Sequence, residues 1–250
     1  MYKEFAKYFD RLEYKYRNYP KESKWISGLL EARDCKDVID LSCGTGSHLA
    51  LLRNDALNVN LVGIDASKEM VGLARKKLGE IPLLRADFLR VPFKKESFDA
   101  ALCMYWSVAG LNSSLVKLLF EQAYSILKPG GVLFLDTENA EGIKDSLLNA
   151  PFIDGFFTDP DENLIVIRAN FSTKIKPDLV DWRAYYLLES EGVSELQTDR
   201  MNLRFYSTEA IESLLKETGF KTIDVLSGPY AEYKKDSPTL YFVAEKNRAN

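Results

Sequence analysis

Three carboxylates and two glycines between residues 40 and 87 stand at a spacing that could hold a small ligand. Asp40 precedes the turn Leu41-Ser42-Cys43-Gly44-Thr45-Gly46, Asp65 follows 19 residues after Gly46, and Asp87 comes later still. Glycines let backbone approach a ligand, and the helix that follows such a turn offers free N–H groups at its start. By themselves Gly44 and Gly46 would make no more than a tight turn. An acid at the end of the next strand, where Asp65 falls, accepts hydrogen bonds from both hydroxyls of a ribose. An acid just before the turn, as Asp40 is, repels a pyrophosphate but suits an ammonium group. The third glycine of a dinucleotide fingerprint is missing, because Leu49 occupies its place. The set therefore suits an adenosyl ligand without phosphates. Asp87 is placed to accept from an adenine amino group. Phe88 and Met70 fit the adenine face, and each also fits a hydrophobic core.

The elements that must position these groups follow from periodicity. Phe5, Tyr8, Phe9 and Leu12 recur at helical spacing, and a second helix starting near Pro20 would bury Trp25, Ile26, Leu29 and Leu30. Short buried strands are expected at residues 38–41, 61–65, 82–86, 98–104 and 132–135. Helices alternate with them: one carries Leu49 and Leu52, and one, capped by Ser67, carries Met70, Ala74 and Leu78. A third runs over 115–127 and is stopped by Lys128-Pro129-Gly130-Gly131. Such alternation predicts a parallel sheet covered on both faces. After Asp136 the alternation stops. Residues 164–175, 179–190 and 194–206 read as three long antiparallel strands, parted by Lys176-Pro177-Asp178 and Glu191-Gly192. A helix capped by Ser207 and stopped by Gly219, then strands over 220–226 and 240–244, close the chain. The expectation is an α/β, Rossmann-like, seven-stranded and mostly parallel sheet with an antiparallel β insertion after its fifth strand. The N-terminal helices and ligand-binding part would span 1–139, the insertion 140–206, and the last helix and strands 207–250.

With these elements in place, a resemblance carries further. Asp40 to Gly46, Val62-Gly63-Ile64-Asp65-Ala66-Ser67, Asp87 and Leu127-Lys128-Pro129-Gly130-Gly131 resemble the ordered motifs of class I S-adenosylmethionine-dependent methyltransferases, over about residues 36–137. Ser42 departs from the pattern, since many members have glycine there. The resemblance implies S-adenosylmethionine as methyl donor and S-adenosylhomocysteine as product. The residues implied to hold it are Asp40, Ser42, Gly44, Thr45, Gly46, Asp65, Ala66, Met70, Asp87, Phe88, Cys103 and Met104. A narrower resemblance rests on Gly44-Thr45-Gly46-Ser47-His48, on Phe98 to Ser107 and on the long insertion. It is similar to sugar N,N-dimethyltransferases and glycine N-methyltransferase-like enzymes, and implies that Tyr8 or Tyr19 reaches the methionyl end.

Ligands of an open α/β sheet sit beyond the carboxyl ends of its strands. The fourth strand ends at Met104-Tyr105-Trp106-Ser107 and the fifth at Asp136-Thr137-Glu138. Methyl transfer from a sulfonium is a direct displacement, so the protein must mainly hold the acceptor in line, an effect worth up to roughly 7–11 kcal/mol. Tyr105, Trp106, Asp136 and Tyr206 are expected to converge there. The aromatic pair would form a cation–π wall for an amine, or simply apolar lining. Asp136 would orient the amine or take its proton. The single histidine, His48, is expected in a structural or cofactor-positioning role. A small-molecule acceptor, an amine before a hydroxyl, is the leading reading. A tRNA or protein side chain is the alternative, and a non-catalytic S-adenosylmethionine-binding module a third. No Asn-Pro-Pro-aromatic run follows the fourth strand, which speaks against planar nitrogens of DNA bases or protein glutamine.

A net charge of -4 and a pI near 5.3 argue against a nucleic-acid partner. Cys35, Cys43 and Cys103 have no metal-ligand spacing, so no metal is expected, and they read as reduced thiols. The segment Met1–Phe5 lacks the apolar core of a signal peptide, and no apolar run is long enough to span a bilayer. A cytoplasmic location is the expectation. The aromatic residues Phe152, Phe156, Phe157, Trp182, Tyr185, Tyr186, Phe205 and Tyr206 cluster in or beside the insertion. They would supply its hydrophobic face, a lid over the acceptor or the surface of a homodimer.

Overall fold

Val38 and Ile39 are adjacent in sequence and both fully buried, so the strand that carries them is covered on both faces. This strand, β1 (Asp37–Asp40), lies at the centre of a seven-stranded sheet. A computed structural model describes residues 6–14, 17–55, 58–142, 151–159 and 163–248. In it β1 pairs in parallel with β2 (Asn60–Asp65) on one side and β4 (Phe98–Cys103) on the other. The strand β3 (Leu83–Arg85) extends the sheet beyond β2, and β5 (Leu127–Glu138) lies parallel beside β4. Two antiparallel strands, β11 (Thr239–Lys246) and then β10 (Phe220–Leu226), complete the edge. The order is β10-β11-β5-β4-β1-β2-β3.

Helices cover both faces. On one lie α2 (Tyr19–Ala32), α3 (Ser47–Asp55) and α4 (Lys68–Leu78), which pack Trp25, Ile26, Leu30, Leu49, Leu52, Val71, Ala74 and Leu78 with Val38. On the other lie α5 (Ser113–Ile126) and α6 (Thr208–Glu217), which pack Val116, Leu119, Phe120, Ile211 and Leu215 with Ile39 and Leu41. Side-chain caps start four of these helices: Asn18 accepts from Lys21 N–H, Ser67 from Met70 N–H, Asn112 from Leu115 N–H and Ser207 from Ala210 N–H. Each such cap is worth about 0.5–2 kcal/mol. The Lys-Pro-Gly-Gly run does more than stop α5. It already belongs to β5, and Gly130 takes a φ of +80° as the chain turns from helix into strand.

The insertion is a separate antiparallel sheet of four strands in the order β6-β7-β8-β9. The three expected strands appear as β7 (Leu164–Lys176), β8 (Leu179–Ser190) and β9 (Val193–Arg204). A fourth, β6 (Phe152–Asp159), was not foreseen from sequence. Its alternation is interrupted by a register shift between Ile153 and Gly155. A β-carbon at Gly155 would lie 2.6 Å from Leu12 Cδ2, so glycine admits the close approach of the first helix, α1 (Ala6–Glu13). Tyr8 and Leu12 of that helix are buried with Leu164, Val166, Ala184, Tyr186 and Leu188 on the inner face of the insertion. Phe5, expected on the same helical stripe, lies outside the described residues.

Candidate functional site

The glycine turn is shaped by the acids around it. Gly44 and Gly46 have φ of +54° and +81°, which favours glycine at both positions. Asp65 accepts Gly44 N–H on Oδ2 at 3.0 Å and Ser67 N–H on Oδ1 at 2.8 Å. It therefore ties the turn after β1 to the start of α4. Asp40 is buried and accepts Ser42 N–H at 3.1 Å. Burial pushes its carboxyl up to about 6, with the charge of Asp65 adding to the rise. Burial also raises Asp65. Two carboxylates drawn from water beside the start of α3 suit a ligand with an ammonium and hydroxyls, and oppose phosphates. A β-carbon at Gly44 would meet no protein atom within 4 Å, so open space adjoins the turn.

The remaining expected cofactor residues fall at graded distances from this centre. Ser42 is bound to the end of β4, where Ser107 Oγ donates to Ser42 Oγ at 2.7 Å and to Met104 O at 2.8 Å. Cys103 and Met104 are buried at that strand end. Met70 is buried on α4, and Ala66 is exposed and accepts Arg85 Nε through its carbonyl. Asp87 is exposed, and its Oδ1 accepts Leu89 N–H at 2.8 Å, while Phe88 packs against the core. Thr45 Oγ1 donates to Asp10 of α1. Ser47 Oγ and Lys77 Nζ also reach Asp10, at 3.3 and 2.5 Å, so α1 is fastened over the glycine turn. The two tyrosines separate. Tyr8 packs on Phe157 of the insertion at 5.6 Å, whereas Tyr19 meets the His48 ring at 5.0 Å and stacks on Tyr105 at 6.1 Å. His48 Nε2 lies 2.8 Å from Glu22 Oε2, in keeping with a structural role.

Beyond the ends of β4 and β5 a second group forms. Tyr105 and Trp106 both adopt left-handed backbone, with φ of +64° and +55°. Bulky residues held there store about 1–3 kcal/mol each and persist only where the surroundings fix them. Trp106 N–H donates to Asp136 Oδ1 at 3.2 Å, and Tyr105 Oη donates to Glu13 of α1. Between α1 and α2, Arg17 enters this group with its guanidinium buried. Nη1 is 2.5 Å from Asp136 Oδ2, and Nη2 is 3.0 Å from the Glu22 carboxylate. The same guanidinium lies 5.0, 5.7 and 5.6 Å from the ring centres of Tyr105, Trp106 and Tyr241. Burial works against its charge, but Asp136 and Glu22 more than offset that and raise its pKa. Tyr241 Oη donates to Glu22 Oε1 at 2.8 Å. Asp136 is thus occupied on both oxygens. Tyr206, the fourth expected acceptor-side residue, is buried and donates its hydroxyl to Leu111 O at 2.7 Å.

The sequence sets Tyr105, Trp106, Asp136 and Glu138 at the ends of the fourth and fifth strands, where the structure also has them, but gives no sign of Arg17, Glu22 and Tyr241. Arg17 and Asp136 are 119 residues apart, and nothing near either one marks the pairing. Among the described residues, no group of three or more His, Cys, Asp or Glu could hold a metal ion, and no helix is long and apolar enough to cross a membrane.

A parallel sheet with an antiparallel β10-β11 edge, and an acid-flanked glycine turn after its central strand, define the class I methyltransferase architecture. The comparisons with known proteins agree. A family model for a methyltransferase domain matches residues 38–131. Demethylmenaquinone methyltransferase of Thermotoga maritima is 32% identical over 232 residues, covering 85% of this chain and 86% of that protein. The Bacillus subtilis protein YqeM is 26% identical over 253 residues, covering 99% and 98%. Among solved structures, an S-adenosylmethionine-dependent methyltransferase from Clostridium acetobutylicum superposes with a TM-score of 0.83 at 23% identity, covering 98% of this chain and 99% of that one. The sugar N-methyltransferase KedS8 from Streptoalloteichus does so at 0.78 and 22%, covering 92% and 89%. The chain belongs to the S-adenosylmethionine-dependent methyltransferase family.

Proposed function

We propose that the chain methylates a small molecule, at an amine nitrogen, using S-adenosylmethionine held between the glycine turn and the ends of β1 and β2. The reading assigns the donor's ammonium to Asp40, its ribose hydroxyls to Asp65 and its adenine to Met70, Asp87 and Phe88. Backbone around Ser42, Gly44, Thr45 and Gly46, with Ala66, Cys103 and Met104, lines the rest. Of the two tyrosines, Tyr19 is the one favoured for the methionyl end, since it adjoins His48 in the first turn of α3. When bound, the donor supplies a methyl group on a sulfonium, open to in-line attack. The protein's own part is to orient the acceptor and keep water away.

One observation carries the amine reading. The rings of Tyr105, Trp106 and Tyr241 already surround a cation, the guanidinium of Arg17, at the ends of β4 and β5. A nitrogen that gains positive charge as it is methylated suits such walls. Labelled methyl transfer into fractionated metabolites, tRNA and protein, run side by side, tests the reading. Label is expected in a small basic metabolite, and label in tRNA or protein alone would overturn it. NAD and ATP are expected not to displace bound S-adenosylhomocysteine, because their phosphates would meet Asp40; displacement at similar concentration would reverse the cofactor assignment.

The insertion supports a further part of this reading, a homodimer. Phe156, Ile167, Leu187 and Leu196 stand in one cross-strand row over all four strands of the insertion. Phe156, Leu187 and Leu196 are 63%, 40% and 65% exposed, an apolar stripe that a second copy would cover. Light scattering is expected to give a dimer that Leu187→Glu converts to a monomer. A wild-type monomer at micromolar concentration would remove the proposal.

A further inference from the structure

We propose that Glu138 is the carboxyl group that faces the reacting nitrogen and receives its proton, with the indole N–H of Trp106 as the donor that holds the acceptor beside it. The inference rests on the methyl-transfer reading above. It starts from two polar atoms without partners. Glu138 Oε2 and Trp106 Nε1 are both shut off from solvent and make no hydrogen bond among the described residues. Buried polar groups are nearly always paired, so an unpaired acceptor and an unpaired donor at neighbouring strand ends call for a ligand.

The fold sets the two residues at the ends of neighbouring strands. Cys103 and Leu135 are register partners in the parallel pair β4–β5, so the residues that follow each strand emerge side by side. Asp136 joins the two directly, through its hydrogen bond from Trp106 N–H. Glu138 is two residues beyond Asp136 on β5, on the same face of the strand. The other acids and hydroxyls nearby are already engaged: Asp136 by Arg17 and Trp106, Tyr105 by Glu13 and Tyr206 by Leu111. Tyr206 is adjacent through its backbone, whose N–H donates to Glu138 O at 3.3 Å. Among the described residues, Glu138 is the carboxyl group left without a fixed partner on this wall.

Its ionisation suits the task. Burial, with the charge of Asp136 adding to it, pushes the Glu138 carboxyl up to about 8. Asp136 is the charged neighbour that acts on it, and Arg17 is paired to that Asp136. An ammonium brought close would stabilise the carboxylate form. The bound ammonium first gives up one proton to water, which leaves a neutral amine beside the Glu138 carboxylate. The nitrogen lone pair then forms the N–C bond, the C–S bond breaks with its electron pair passing to sulfur, and the N–H proton of the methylated ammonium goes to the carboxylate oxygen Oε2 of Glu138.

Infrared spectroscopy of protein saturated with S-adenosylhomocysteine reads this group without turnover, with cyclohexylamine as the probe. Wild type is expected to show a protonated-carboxyl band at pH 7 that titrates near pH 8, disappears on adding cyclohexylamine and is absent from Glu138→Gln. Glu138→Gln keeps the shape of the neutral acid, and its melting temperature should lose the part of the pH dependence that wild type shows between the ordinary glutamate range and pH 8. In turnover on whichever amine is methylated, Glu138→Gln is expected to lower kcat about a hundredfold. Its affinity for S-adenosylhomocysteine should stay within twofold. A wild-type band untouched by cyclohexylamine, or a Glu138→Gln variant at full rate, would overturn this inference and leave the methyl-transfer reading standing. Failure of wild type to bind S-adenosylhomocysteine would overturn both.

Discussion

Arg17→Met is expected to destabilise the fold by about 3–5 kcal/mol, the range measured when one partner of a buried ion pair is removed. The guanidinium joins four elements at once. It meets Asp136 at the end of β5, Glu22 on α2, the rings of Tyr105 and Trp106 after β4, and the ring of Tyr241 on β11. Methionine keeps much of the volume and the contact with the rings, so the loss falls on the charge. Asp136 is fully buried and Glu22 nearly so, and without Arg17 they would be two acids facing one another out of water. For a chain of this length such a loss lowers the melting temperature by on the order of 10 °C. Thermal unfolding followed by circular dichroism checks it. A melting temperature within 2 °C of wild type, a shift worth under about 1 kcal/mol, would mean that the network carries no net stability.

The pH dependence of the same network has a definite sign. Burial opposes the charge of Glu22, but the hydrogen bond with His48 and the charge of Arg17 hold its carboxyl below the usual glutamate range. A carboxyl depressed in the folded state contributes stability that is fully present above its unfolded value and is lost as the pH falls through its folded one. Wild type should therefore lose this contribution on acidification below the ordinary glutamate range, and Arg17→Met should lose less of it.

The contrast between what the sequence disclosed and what it hid has a physical basis. Ser67 and Ser207 announced their helices because a cap is a local device, with donor and acceptor three residues apart. The glycine turn and its acids were legible because backbone geometry fixes both the spacing and the residue type. The core stripes of α4 and α5 followed from period alone. Arg17 and Glu22 carried no such signal: Glu22 sits on a helix between the exposed Lys21 and Lys24, in a run whose residue types read as solvated. Its burial arises only when Tyr241, 219 residues away, closes over it. The strand β6 was hidden by its bulge at Gly155, which breaks the alternation that marks a strand. Tyr105 and Trp106 were recognised as aromatic, but their left-handed backbone depends on Asp136 and Glu13, both distant in sequence.

Asp65→Ala is expected to weaken S-adenosylmethionine binding by well over tenfold, the largest effect of any single change at the donor site. Two contributions act in the same direction. In the proposed complex the carboxylate accepts from two ribose hydroxyls, and each hydrogen bond to a charged group is worth about 1.5–3 kcal/mol. The carboxylate also accepts Gly44 N–H and Ser67 N–H, so its loss releases the glycine turn from the start of α4. Asp65→Asn separates the two, because it retains an acceptor oxygen for one backbone N–H while removing the charge. It should bind more weakly than wild type and more tightly than Asp65→Ala. Asp87→Ala should cost less than either, since one of its oxygens already serves Leu89 N–H and a single contact to the adenine amino group would be lost. Calorimetric titration with S-adenosylhomocysteine measures all three. If Asp65→Ala bound it as wild type does while keeping its melting temperature, the ribose would have to lie elsewhere and the donor site would need to be placed anew.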